Sequence, residues 1–202
     1  MLKKLCILVF LLSLFAPWKL CWGENFDLRN TRWGMTQDEV INAEEKMDPV
    51  EVTENVIQYK TQILENNVEL RYVFADNKLI GAIYKLADNY LNSDHFRNTY
   101  TKFKNALIKK YGQPEEEKTD WINNTYKNNR KKWGLALSLG HVEYASSWST
   151  QKTKIDCSLR EENYYVLCLI EYWSTEYSNL LKEIRKEENP IEIKQVVKID
   201  PL

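Results

Sequence analysis

The sequence predicts an α+β fold, an antiparallel sheet with helices on one face, built from two degenerate helix-plus-three-strand repeats. The expectation rests on two groups of three strand-like runs, each preceded by a helical pattern, at about residues 36–87 and 93–173. The repeat is one of pattern, since residue identities hardly match. No stretch rich in Gly, Pro or Ser divides the halves. A single domain is therefore expected over 24–187, followed by an extended tail at 188–202. With 44% hydrophobic and 28% charged residues, and only 6 Gly and 5 Pro in 202 positions, collagen-like, low-complexity and wholly disordered classes are excluded.

Residues 1–23 read as a secretory signal peptide. Met1-Leu2-Lys3-Lys4 is a basic start, Leu5 to Ala16 is an almost unbroken apolar run, and Lys19 to Gly23 is a short exit before Glu24. The run falls short of the roughly 20 residues that a spanning helix needs, and no other segment is apolar enough to span. Small Cys21 and Gly23 suit cleavage after Gly23, and bulky Leu20 disfavours a lipid anchor on Cys21. Export to the periplasm or the cell exterior follows. Losing Lys3, Lys4 and Lys19 shifts the balance of 28 basic and 29 acidic residues to net −4. That argues against a dedicated nucleic-acid partner, because counterion release needs a basic surface.

Thr36-Gln37-Asp38-Glu39 is a capping box, and the helix it opens runs to about Met47, where Asp48-Pro49 stops it. Strands are expected over 55–64, 68–75 and 79–86, with apolar residues alternating at Ile57, Tyr59 and Ile63 and at Val68, Leu70, Tyr72 and Phe74. Polar turns at Glu65-Asn66-Asn67 and Asp76-Asn77-Lys78 make this a meander. Ser93 offers the next N-cap. Phe96, Tyr100, Phe103, Leu107 and Tyr111 then form the stripe of a helix lying on a sheet, ended by Gly112-Gln113-Pro114. A polar stretch follows over 115–132, with helical character around 121–130. Strand patterns return at 142–148, 153–159 and 164–173, and Ser174 or Thr175 caps a last helix to about Lys186.

Cys157 and Cys168 are the only cysteines beyond the signal peptide, in two strand-like runs joined by a polar turn. With Glu162-Asn163 as the two-residue loop, Glu161 faces Tyr164 and the cysteines lie directly opposite each other. In an exported chain this favours a structural disulfide, the alternative being two buried thiols if the register slips.

Phe26-Asp27-Leu28-Arg29, then Trp33-Gly34-Met35-Thr36 and Glu39-Val40, resembles the opening of many small exported bacterial proteins of unknown function. Gly-Met-Thr before a short helix is also similar to BamE-type outer-membrane assembly lipoproteins and to the repeats of β-lactamase-inhibitor-like proteins. Those families build helices onto small antiparallel sheets and act by binding proteins, so the resemblance implies an interaction module. Their Gly-x-Pro after the helix is matched by Gly112-Gln113-Pro114, while the first repeat has Met47-Asp48-Pro49.

Little in the sequence points to catalysis. Ala136-Leu137-Ser138-Leu139-Gly140 departs by one residue from a nucleophile elbow, but the only later histidine is adjacent His141. A strand or helix end is the plainer reading. His141 and Glu143 share a strand face and His95 begins a helix, without the short-spaced pairs of a metal site. The acids at Glu44-Glu45, Glu115-Glu116-Glu117 and Glu161-Glu162 suit solvated turns and faces. Asn123-Asn124-Thr125 is a glycosylation sequon, relevant only in a eukaryotic secretory route.

Tyr165, Leu167, Leu169 and Trp173 fall on one side of the last strand and Cys168, Ile170 and Tyr172 on the other, so that strand is apolar on both faces. It is either central and covered, or Tyr165, Leu167, Leu169 and Trp173 form a binding face. The sequence thus predicts an exported bacterial envelope binding module whose expected partner is an envelope protein, with no catalytic residue, metal or cofactor assigned. The alternatives are a periplasmic hydrolase acting on glycan or peptide, and a small-ligand carrier.

Overall fold

Alternating apolar residues and five tight connections lay eight strands into one antiparallel sheet. The computed structural model describes residues 26–88, 90 and 93–180. The expected signal peptide at 1–23, the part beyond residue 180 of the last helix expected to about Lys186 and the expected tail at 188–202 lie outside the described residues. The strands are β1 (Glu51–Val52), β2 (Val56–Ile63), β3 (Asn66–Ala75), β4 (Lys78–Leu86), β5 (Glu116–Trp121), β6 (Val142–Ser149), β7 (Thr153–Glu162) and β8 (Tyr165–Ser174). Their order across the sheet is β1-β2-β3-β4-β8-β7-β6-β5. Each half is therefore a helix followed by an antiparallel meander, and the halves meet through their last strands. Tyr84 of β4 and Tyr172 of β8 meet edge-on at 6.2 Å across that seam.

The helices are α1 (Gln37–Ala43), α2 (Asp94–Tyr111) and α3 (Trp133–Ser138). Their buried side chains Val40, Phe96, Tyr100, Phe103, Leu107, Ala136 and Leu137 join one core with Leu70, Tyr72, Tyr84, Ile155 and Ile170 of the sheet. The capping box forms as expected, Thr36 accepting from the Glu39 N–H and Glu39 accepting from the Thr36 N–H. α1 ends earlier than the proline predicts. Glu44 takes the C-cap and turns its carboxylate inward, accepting from Arg29 Nε at 2.8 Å, Arg29 Nη2 at 3.0 Å and the Tyr72 hydroxyl at 2.5 Å. α2 is pinned at its far end, where Trp148 Nε1 donates to the Gly112 carbonyl at 2.8 Å.

The opposite face carries a second, smaller core of Val73, Ala75, Ile80, Ile83, Leu167 and Leu169, packed against Trp173, Tyr177 and Leu180. β8 is thus a central strand covered on both sides. Two strands had no sequence signature: β1 is a two-residue edge, and Glu116 to Asp120 of the other edge strand, β5, are all exposed, so neither shows alternation.

The expected disulfide is corrected by the register. The turn residues of the β7–β8 hairpin are Asn163 and Tyr164, both with positive φ, and Glu162 pairs with Tyr165. Asparagine tolerates the first left-handed position of such a turn far better than the glutamate that the expected loop would place there. The slip keeps every side chain on its face but moves each partner by two, so Cys157 faces Ile170 and Cys168 faces Leu159. The thiols become diagonal neighbours, roughly 7–8 Å apart at Cα and beyond easy disulfide reach. Both are free and buried. Burial pushes the Cys157 thiol up to about 12 and raises Cys168 well above its usual range.

Candidate functional site

The registers place one set of connections together. Val68 faces Leu86, Lys85 faces Leu169, Leu159 faces both Cys168 and Tyr144, and Trp121 faces Val142. The β2–β3 turn, the β7–β8 turn and the β5–β6 connection therefore crown the same end of the sheet, termed apical below. At strand spacings of about 4.8 Å, the two turns lie roughly 14 Å apart and the connection some 10 Å farther on.

The β5–β6 connection is the clearest difference between the two halves. Its counterpart, β1 to β2, needs only Thr53, Glu54 and Asn55, whereas residues 122–141 form a long excursion. Its last part is α3, whose Ala136 and Leu137 are core, and its first part is a largely exposed polar stretch. The excursion contains Lys127, Arg130, Lys131 and Lys132 and no acid, in a chain whose acids and bases nearly balance. All four cations are exposed.

Its conformation is built by local bonds. The Asn123 side chain accepts from the Thr125 N–H at 2.9 Å, opening a 3₁₀ turn over Asn124–Tyr126. Trp133 Nε1 donates to the Lys127 carbonyl at 3.0 Å, folding the basic stretch over the indole. The guanidinium of Arg97 lies 5.0 Å from the Trp133 ring and that of Arg130 5.8 Å, while Trp121 meets the same ring edge-on at 5.7 Å. Tyr126 stacks on His141 at 5.7 Å, with the Lys132 ammonium 5.3 Å from the Tyr126 ring. Aromatic rings thus hold Arg97, Arg130 and Lys132.

Residues 136–140 are a helix end. His141 N–H donates to the Ala136 carbonyl and Gly140 N–H to the Leu137 carbonyl, with Gly140 at φ 65°, which is the paired bond pattern of a Schellman cap. Ser138 donates to the Gly134 carbonyl at 3.1 Å and bonds the Ser93 hydroxyl, so it serves to fasten α3 to the start of α2. Gly134 allows that approach, since a Cβ there would lie 3.0 Å from the Asp94 N–H nitrogen. His95 is exposed and packs 5.4 Å from Tyr90. Among the described residues no group of three His, Cys, Asp or Glu side chains could hold a metal.

The turns add apolar tips. The β2–β3 turn is Leu64-Glu65 and the β7–β8 turn Asn163-Tyr164, all four residues in the left-handed region. Tyr164 is 98% exposed, and Leu64, Ile122, Leu135, Leu139 and Tyr165 are exposed on or beside the connections of the same end. The only other exposed large apolar side chains among the described residues are Phe26, Val50 and Val52. The β3–β4 turn, at the opposite end of the sheet, is an internal comparison: the same two left-handed positions hold Asp76 and Asn77, the residue types such turns favour. A leucine and a tyrosine in these positions strain the backbone and leave apolar surface in water, half of Leu64 and nearly all of Tyr164.

Of the four side chains expected as a binding face, Tyr165 alone reaches this surface. Leu167 and Leu169 are buried in the second core, and Trp173 lies across Gly81, where a Cβ would collide with the indole. The basic run of the excursion was visible in the sequence as an acid-free stretch; the tips were not, because their exposure depends on turn register. No helix among the described residues is long and apolar enough to cross a membrane. Comparison of the chain with protein-family models, with curated proteins and with solved structures found no match.

Proposed function

We propose that this chain is an exported, non-catalytic interaction module of the bacterial envelope that docks through its apical end. The single observation behind this reading is the contrast between turns: strained, exposed Leu64 and Tyr164 at the apical end against Asp76-Asn77 at the other. Apolar residues that disfavour their own turn are retained where their surface is used. Export rests on the basic start and apolar run of residues 1–16. The resemblance of the Trp33-Gly34-Met35-Thr36 opening to families that act by binding supports the same reading.

The test is site-specific photocrosslinking in cells, with the crosslinker at Tyr164, at Leu139 and, as a control, at Asn77. Adducts from the first two positions and none from Asn77 are expected. Equal adduct formation at all three positions, or none at any while a known envelope pair crosslinks, overturns the assignment.

A further inference from the structure

The cations and apolar tips of the apical end together specify what it meets. We infer that the apical end is a peripheral docking surface for an anionic phospholipid bilayer, an inference that rests on the docking reading above.

Three features favour lipid over a protein partner. First, the apolar groups are separate protrusions from three connections, spread over roughly 24 Å by strand spacing, and do not form the contiguous core of a protein interface. Second, the polar groups beside them are Lys127, Arg130, Lys131 and Lys132, in a segment without acids. Lysine is depleted in protein interfaces, whereas clustered cations are drawn to an anionic headgroup layer. Third, the tips are tyrosine and leucine. Tyr164 and Tyr165 have the amphipathic rings that settle at headgroup depth, and Leu135 and Leu139, one turn apart at the end of α3, are both exposed. Acids share this end too: Glu65 beside Leu64; Asp88, which accepts from Asn67; Asp94, paired with Arg97 at 2.8 Å; Glu161, which accepts from the Tyr164 N–H; Glu162, paired with Arg160 at 3.3 Å; and Asp120 and Glu143, opposite each other just below the β5–β6 connection. In the docked state they stay at the aqueous rim, so the attraction is carried by the acid-free 122–141 segment.

The two forces act at different ranges. The cations attract the surface from within a Debye length, about 8 Å at physiological salt, and the tips enter only on contact. Neither suffices alone, and together they give reversible adsorption that weakens with salt.

Cosedimentation measures this directly, using the chain as recovered from an exporting host with its N-terminus read by mass spectrometry. The probes are vesicles of phosphatidylcholine and vesicles of phosphatidylcholine mixed with phosphatidylglycerol. Preferential binding to the mixed vesicles, reduced by salt, is expected. Lys127→Gln with Lys131→Gln should weaken it roughly 30-fold, about five-fold for each lysine removed from the surface. Tyr164→Gly is the decisive variant: glycine suits the left-handed turn position, so the fold is stabilised or unchanged while binding falls about five-fold.

Equal binding to both vesicle types, or variants that bind like the parent, overturns the lipid inference. No vesicle binding, with a protein adduct at Tyr164 in cells, overturns it too but leaves the docking surface standing. Failure of both vesicle binding and crosslinking removes both readings.

Discussion

Arg29 and Glu44 form an ion pair whose two ends differ in their access to water, and that asymmetry predicts unequal costs of removing them. Glu44 is 2% exposed and Arg29 29%. The pair joins the N-terminal segment, the end of α1 and, through Tyr72, the centre of β3. The carboxylate's hydrogen bonds hold the Arg29 guanidinium above its usual range, and burial, reinforced by the bond to Glu44, does the same for the Tyr72 hydroxyl. Arg29→Ala leaves a carboxylate in the core with, among the described residues, the Tyr72 hydroxyl as its remaining hydrogen-bond partner, so it should cost about 3–5 kcal/mol. Glu44→Ala leaves no buried charge: Arg29 can turn to water, and the loss is the bonded acceptor of Tyr72, about 1–3 kcal/mol. The double variant should cost little more than Glu44→Ala, because the charge stranded by the first substitution is gone. For a domain of this size, the larger loss corresponds to a Tm decrease of roughly 6–20 °C. Urea unfolding followed by tryptophan fluorescence gives all four corners of the cycle. Additive single costs, or an Arg29→Ala loss below that of Glu44→Ala, would refute the argument.

Cys157 and Cys168 should resist thiol reagents in the folded protein and react fully, without reductant, once it is unfolded in urea; unreactive cysteines in unfolded chain would mean that they are bridged. Burial holds the Asp156 carboxyl above the usual range against the pull of Lys154. The folded state therefore binds this proton more tightly than the unfolded chain, so the residue costs stability at neutral pH, and the cost vanishes below the ordinary carboxylate range near about pH 4. Asp156→Asn should raise Tm at neutral pH but not at about pH 3, and equal gains at both would rule this out. Gly140→Ala should destabilise by roughly 1–2 kcal/mol, the cost of a left-handed alanine at φ 65°, since the Glu161 carboxylate that a Cβ would touch at 2.9 Å can swing aside. An unchanged urea midpoint would show that the cap of α3 does not need glycine.

Six strands and two helices were legible in the sequence because their signals are local. The capping box at Thr36, the four-and-three stripe from Phe96 to Tyr111 and the period-two runs depend on residues a few positions apart, and burial against the common sheet only reinforces them. β1 and β5 were hidden because a two-residue strand, and an edge strand of exposed polar residues, have no period to read. α3 was hidden because six residues carry less than two turns of pattern, although Gly140 after Leu139 was its cap.

The tertiary structure alone decided the register of the β7–β8 turn, and much else followed from it. One residue of slip in the loop moves every cross-strand partner by two while leaving each side chain on its face, so hydrophobic pattern cannot choose between the alternatives. The choice separates Cys157 from Cys168 and sets Tyr164 at an exposed tip. In the same way, β8 was readable as apolar on both faces, but only its position between β4 and β7 shows that Leu167 and Leu169 are core and that Tyr165 alone faces outward. Composition and period report what a residue prefers; which preferences are met depends on contacts between segments far apart in the chain, and those contacts gather Leu64, the 122–141 excursion and Tyr164 at one end of the sheet.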